Sequence, residues 1–396
     1  MPALDGITVV SLEHAIAAPF CTRQLADLGA RVIKIERPQV GDFARKYDER
    51  VDGMSSHFVW TNRSKESLTL DLKTEQAKAI VKQLLLKADV LVQNLAPGAA
   101  SRLGFSYEEL AEINPRIIVC DISGYGDDLN HPGPYRDKKA YDLLIQSESG
   151  FLSITGTDEQ SVKAGCSIAD ISAGMYAYSN ILAALIERGK TGKGKRIDVS
   201  MLESMTEWMG YPLYYTLNGE SSPPRSGASH ATIYPYGPFP TGDQKQVILG
   251  VQNEREWQAF CEVVLDAPEL YLDARFRTNT LRSQNRHTLC QMIEQKFSLW
   301  SQAEIMQRLE NANIANARVN EVQDLWQHPQ LQARQRWIEV DSPVGKIPTL
   351  KPVGLSNAED FTVQAIPSLG QHTQSILNEL DFSPEYIQSL ILAGVI

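Results

Sequence analysis

"ITVVSLEHAIAAPFCTRQLADLGARVIKIE", residues 7–36, sets two apolar runs on either side of an amphipathic stretch. ITVVSL (7–12) reads as a buried strand. APFCTRQLADLGA (18–30) reads as a helix, with Pro19 in the first turn, where its missing N–H has no partner to lose, and Gly29 at the end. RVIKIE (31–36) reads as a second strand. A helical crossover between two strands makes them parallel neighbours. The same rhythm continues with a helix over EQAKAIVKQLLLKA (75–88), a strand at DVLVQN (89–94), a short helix opened by the capping box Ser106/Glu109, and a strand at RIIVCDIS (116–123). The expectation is an α/β fold, a Rossmann-like parallel sheet with helices on both faces.

This sheet lacks the usual dinucleotide chemistry. The turn after the first strand, SLEHAIAAPF, contains no glycine, so a pyrophosphate cannot approach the backbone as it does over a GxGxxG loop. Glu36 stands where such folds keep a ribose-binding acid, but here it reads as a solvated strand end paired with Lys34 or Arg37. GKTGKGK (189–195) precedes a strand rather than a helix and reads as an exposed turn.

CSIADISAGMYAYSNILAAL (166–185) predicts a buried helix running to about Arg188, with one ionisable group, Asp170, near its start. Aspartate is a preferred N-cap, and it is also a possible nucleophile. RIDVSML (196–202) follows as a strand. Ser200 and Glu203 cap a helix carrying MTEWMGYPLYY. NGESSPPRSGASH (218–230) reads as a linker or functional loop. Beyond it, YGPFPT, KQVILGV and helices opened by Asn253/Glu256 and Ser301/Glu304 indicate a smaller α+β domain. Two short helices follow in SLGQHTQSILNEL and SPEYIQSLILAGVI, the second with Ser383 as cap and Pro384 at its first position. The expected organisation is a large α/β domain over 1–199 completed by 355–396, a linker helix at 200–224, a small α+β domain at 225–330 and a return linker at 331–354.

The 396 residues are 43% hydrophobic and 22% charged, with a net charge of −10. That balance excludes a general nucleic-acid binder, though not a local basic pocket for one polyanion. Five cysteines without a CxxC pair suit neither a disulfide framework nor a zinc site. No signal-peptide pattern and no apolar run of membrane-spanning length are visible, so the expectation is a cytoplasmic protein, with no membrane and no nucleic acid among its partners.

Several segments together resemble the class III CoA-transferase family, of formyl-CoA transferase or CaiB/BaiF type: AAPFCTRQLADLGARVIKIERPQVGDFAR (17–45), LDLKTEQAK (70–78), VQNLAPGAASRLGF (92–105), IADISAGMYAYSNILAALIERGKTGKGKRIDVSMLESM (168–205) and LGQHT (369–373). Their shared order spans nearly the whole chain. The resemblance implies an interlocked homodimer and makes the large domain the CoA-binding one. It implies coenzyme A, as an acyl-CoA substrate, with neither metal nor NAD. The family's catalytic aspartate falls on Asp170, which would pass through an aspartyl anhydride and an aspartyl-CoA thioester. A nearby helix N-terminus would offer N–H groups to the developing oxyanion. CoA contacts would fall on His14, Ala15, Ile16, Ala17, Arg37, Leu70, Lys73, Asn94, Leu95, Arg102, Lys139 and Met201.

There are departures. Ile16 stands where formyl-CoA transferase has a glutamine, Ser123 where it has a lysine, and its tetraglycine loop is absent, which implies a different acyl pocket. The racemases of this fold use a histidine where this chain has Tyr141, followed by Asp142. A tyrosine of ordinary pKa is a poor base at neutral pH, so the reading favours transfer. A racemase-like enzyme and a non-catalytic acyl-CoA-binding homologue are the alternatives. PRSGASHATIYPYGPF (224–239) is the expected acyl-specificity segment. Candidate substrate contacts are Arg45, Tyr141, Asp142, Arg225, His230 and Tyr236. The expected reaction carries CoA from succinyl-CoA to a short acid, a C4–C5 dicarboxylate such as itaconate, mesaconate, citramalate or glutarate.

Overall fold

The computed structural model describes residues 1–396, which fall into two compact units. The first comprises Met1–Ser149, Ala164–Gly210 and Gln332–Ile396; the second comprises Gly150–Lys163 and Tyr211–Leu331. No helix is long and apolar enough to cross a membrane.

In the first unit the chain runs β1 (Thr8–Leu12), α1 (Ala17–Asp27), β2 (Arg31–Glu36), α2 (Ser56–Asn62), β3 (Lys65–Thr69), α3 (Glu75–Lys87), β4 (Val90–Gln93), α4 (Ala99–Arg102), α5 (Tyr107–Ile113), β5 (Ile118–Ser123) and α6 (Asp142–Glu148). After α7 (Phe151–Ile154), which belongs to the second unit, it returns as α8 (Ile168–Thr191), β6 (Arg196–Ser200) and α9 (Met201–Trp208). The strands form one parallel sheet in the order β3-β2-β1-β4-β5-β6. Strand order reverses between β1 and β4, which opens a crevice at their carboxyl ends, where open α/β sheets take their ligands.

Side chains of β-strands alternate between faces. Val10, Leu12, Ile33, Ile35, Leu91 and Val119 share one core with Ile80, Val81 and Leu84 of α3 and with Ile376, Leu377, Ile387 and Leu390. Val9, Val32, Val90 and Ile118, one residue out of step, are fully or almost fully buried outside that cluster. α1 and α8 pack against each other, α1 also against β2 and β4, α8 also against β5 and β6. Gly174 permits the α1–α8 crossing, because a Cβ there would lie 2.7 Å from the Ala17 carbonyl oxygen and 3.1 Å from the Phe20 ring.

Local signals hold at the cap positions. Ser106 and Ser301 make complete capping boxes with Glu109 and Glu304, and Ser200, Asn253 and Ser383 each accept a hydrogen bond from a first-turn amide. The expected single helix after Ser200 is a correction: it breaks at Met209 and resumes as α10 (Gly210–Tyr215). Pro212 has no N–H to continue the ladder, and its ring crowds the carbonyl four residues back.

The second unit carries an antiparallel sheet of β7 (Tyr236–Pro240), β8 (Gln246–Gly250) and β9 (Ala315–Arg318) over a core that includes Trp257, Phe260, Phe276 and Phe297.

Candidate active site

The turn between β1 and α1 forms one wall of the crevice. Asn94, just past β4, holds it by both amide groups. Its Oδ1 accepts from the His14 N–H at 2.9 Å and its Nδ2 donates to the His14 carbonyl at 2.9 Å. The turn places Ala15 at φ +60, a left-handed conformation that side chains other than glycine rarely adopt. The Ala15 N–H is satisfied by Asp42 at 3.2 Å.

Beneath the turn lies a buried charge network. Lys65 donates to Glu13 at 2.7 Å, and Lys34 donates to Glu13 at 3.3 Å and to Asp42 at 2.8 Å, all four side chains fully inaccessible. Burial alone would raise the Glu13 carboxyl, but Lys65, Lys34 and a bond from Thr22 overcome it and hold it at about 2. Burial pushes Lys65 down to about 8 against the pull of Glu13.

Glu36 requires a correction. It is 2% exposed, not solvated, and its carboxylate takes the Arg45 guanidinium at 2.7 and 2.8 Å, the Ser67 hydroxyl at 2.6 Å and the Asp42 N–H at 3.0 Å. Burial acts to raise it, yet the Arg45 bonds and the Lys34 charge bring it to about 2. Asp42 and Arg45 come from the segment after β2, which folds back over the strand end, and Ser67 comes from β3. Arg45, expected to meet substrate, is thereby committed to Glu36, to the Pro367 carbonyl at 3.2 Å and to the face of Phe58.

Two neighbouring cavities open at the crevice. The first, about 580 Å³, is lined among others by His14, Ala15, Ile16, Ala17, Arg37, Asn94, Leu95, Lys139, Tyr141, Asp142, Asp170 and Met201. The second, about 820 Å³, shares His14, Arg37 and Leu95 and adds Leu70 and Lys73. Of the expected CoA contacts only Arg102, exposed at the end of α4, lines neither. Arg225, His230 and Tyr236 belong to the second unit and line neither cavity. The Arg225 guanidinium donates to the carbonyls of Thr157 and Asp158, and the His230 ring stacks on Tyr236 while its Nδ1 accepts from the amides of Thr232 and Ile233. Phe43, Tyr47, His57 and Lys138 line the first cavity although nothing in the sequence reading singled them out. Three of them lie on the connection from β2 to β3, where no strand or long-helix period reveals which way a side chain faces.

The carboxylate that caps α8 is that of Asp142, not Asp170. Asp170 is the third residue of α8, whose N-cap is Ser167. Asp142 Oδ1 accepts from the amides of Ala169 at 2.8 Å and Asp170 at 3.4 Å, while its Oδ2 takes the Gln146 side chain at 2.7 Å. Capping is thus done by a carboxylate from α6, and that of Asp170 accepts no hydrogen bond within the chain. Burial first, and then the Asp142 charge, push the Asp170 carboxyl up to about 7. The Ala169 and Asp170 amides of α8 are accordingly engaged by Asp142. The first-turn amides of α1 differ: its N-cap Ile16 makes no side-chain cap bond, and Ile16 and Ala17 line the cavity.

Tyr47 lies against this centre. Its phenol is raised to about 12 by burial and then by the charges of Asp42 and Asp170. His14 stacks on Phe43 at 5.3 Å, and burial lowers its pKa, so it is a neutral wall.

The crevice suits a nucleotide thioester. Its inner end is a carboxylate free of internal partners, its wall at residues 15–17 is apolar, and its outer end carries Arg37 and Lys73, side chains of the kind that can hold phosphates. Comparison with known proteins agrees with these features. A family model described as CoA-transferase family III matches residues 4–373. A mouse protein named succinyl-CoA:glutarate CoA-transferase is 35% identical over 401 residues, covering 100% of this chain and 91% of its own length. A succinate–glutarate CoA-transferase of Agrobacterium fabrum is 34% identical, covering 96% of each chain. The solved structure of a CAIB/BAIF family protein from Brucella suis superposes with a TM-score of 0.83 at 34% identity, over 96% of this chain and 100% of that one.

Proposed function

The chain belongs to CoA-transferase family III and is a CoA-transferase of acyl-CoA and carboxylate substrates, and from that premise we propose that it moves CoA from succinyl-CoA to a short dicarboxylate of the glutarate class, with Asp170 as nucleophile. The observation that carries this reading is the Asp170 carboxylate: cavity-lining, relieved of capping by Asp142, and bonded to nothing else in the chain. The choice of acids is supported by the relatives named for succinate and glutarate.

Asp170 Oδ attacks the thioester carbonyl carbon, the C–S bond breaks, and CoA leaves as thiolate from a mixed anhydride. The thiolate attacks Asp170 Cγ, the bridging C–O bond breaks, and succinate leaves as carboxylate from an aspartyl-CoA thioester. The acceptor carboxylate attacks Cγ and expels the thiolate. The thiolate then attacks the acceptor's acyl carbon, which frees Asp170. Each step exchanges one nucleophile for one leaving group, so covalent catalysis divides a difficult transfer into balanced steps. The first-turn amides of α1 are the donors we assign to the oxyanion formed at each attack. Asn94 keeps those amides in place through the turn, and Arg37 and Lys73 hold the nucleotide end.

An interlocked homodimer belongs to the same reading; sedimentation as a single chain would remove it. The central test is mass spectrometry after incubation with succinyl-CoA and hydroxylamine. A hydroxamate on the peptide containing Asp170 is expected. Transfer proceeding with no label at that residue would overturn the assignment.

A further inference from the structure

Resting on the dicarboxylate reading above, we infer that His57 receives the remote carboxylate of the acyl group and that Asp48 is its positioning residue. The basic side chains lining the catalytic cavity are His14, Arg37, His57, Lys138 and Lys139. Lys138 is tied to Glu148. His14 is a neutral wall stacked on Phe43. Arg37 also borders the second cavity, on the nucleotide side. Lys139 stands on an exposed stretch before α6, with a flexible stem.

His57 is held differently. Asp48 accepts from the backbone N–H groups of Arg50 at 3.0 Å and Ser56 at 2.9 Å and from the Ser56 hydroxyl at 2.7 Å. Its carboxylate is therefore aimed before it meets His57 Nδ1 at 3.2 Å. The imidazole is also held edge-on to the Tyr47 ring, with centroids 5.2 Å apart and planes at 85°. With Nδ1 engaged, Nε2 is the one polar atom the ring has left for the cavity. A substrate carboxylate brought to Nε2 would place the ring between two carboxylates, Asp48 on one side and the substrate on the other. A monocarboxylate of equal length would set a methyl group against that donor and leave it unpaired, which is how a polar site rejects an apolar analogue.

The test compares glutarate with pentanoate as acceptors from the same succinyl-CoA donor. The ratio of their kcat/KM values is taken within each protein, so general losses of folding or of donor chemistry cancel. Wild type is expected to favour glutarate, and His57→Phe to lower that preference roughly 10- to 100-fold, the range of one charge-assisted hydrogen bond. Asp48→Asn is expected to lower it by a smaller factor, through the KM for glutarate rather than kcat. A wild type indifferent between the two acids removes the dicarboxylate reading and this inference with it. A wild type that prefers glutarate, with the preference intact in His57→Phe, removes the His57 assignment alone.

Discussion

Replacing Asp170 with Asn abolishes transfer on this account, and it also makes the protein more stable. The Asp170 carboxyl is raised from 3.8 to about 7 by burial and by Asp142. An acid raised in the folded state binds more protons folded than unfolded between those two values. Stability therefore falls as pH rises through that window, and the full deficit is present above it. At ~1.36 kcal/mol per pH unit the gap comes to about 4 kcal/mol. The side chain is only half-buried, and solvent in the cavity screens it, so the expected figure is about 2–4 kcal/mol. Asparagine keeps the shape and cannot ionise. Urea denaturation of both proteins at pH 4, 6 and 8.5 is the assay. Asp170→Asn is expected to gain about 2–4 kcal/mol over wild type at pH 8.5, less at pH 6 and almost nothing at pH 4. A variant no more stable than wild type at pH 8.5, or a gain equal at all three values, refutes the reasoning. The first outcome means that the ionised carboxylate is not disfavoured, the second that packing rather than charge is responsible.

Two other consequences can be measured directly. Because the attacking species is the carboxylate, kcat/KM should rise with pH through about 7 and level off above it; Asp142→Asn, which keeps a capping oxygen but removes the neighbouring charge, should move that rise to lower pH. Gly174→Ala puts a methyl 2.7 Å from the Ala17 carbonyl oxygen and should cost about 1–3 kcal/mol by thermal or urea melting, with weaker CoA binding by calorimetry because Ala17 lines the cavity.

The sheet was legible because its information is local. Five of the six parallel strands carry their own apolar pattern, the longer connecting helices carry their own period, and caps such as Ser106/Glu109 lie within three residues of each other; β3, KESLT, has one apolar residue and was not read. What could not be read depends on distant partners. Glu36 looks like a strand end open to water until Asp42 and Arg45 fold back over it and Ser67 arrives from the next strand. Asp170 keeps both of its possible roles until Asp142, 28 residues earlier, is seen to occupy the helix amides. Of the residues assigned to CoA by resemblance to a known family, all but Arg102 line the two cavities, since a turn of fixed length after a strand carries position. Arg45, offered for its charge as a substrate contact, is engaged by Glu36 in the buried network, and His57 and Tyr47 were overlooked, the first on the short α2 and the second on irregular chain.

The outer margin of β3 is closed by residues from far along the chain. The Ser67 N–H donates to His372 Nδ1 at 3.1 Å, the His372 N–H donates to the Ser67 carbonyl at 3.0 Å, the Thr69 N–H donates to the Thr373 hydroxyl at 3.0 Å, and the Asp71 N–H donates to the Val395 carbonyl at 2.7 Å. An unpaired strand margin is a template for joining other strands. Residues 372–395 leave the ribosome only after the entire second unit has been made, some 300 residues after the strand they protect. During translation the nascent sheet therefore waits with its flank bare, so a message broken late in the reading frame would release a sticky product, and a chaperone that shields this flank would have its period of greatest use before the final helices emerge.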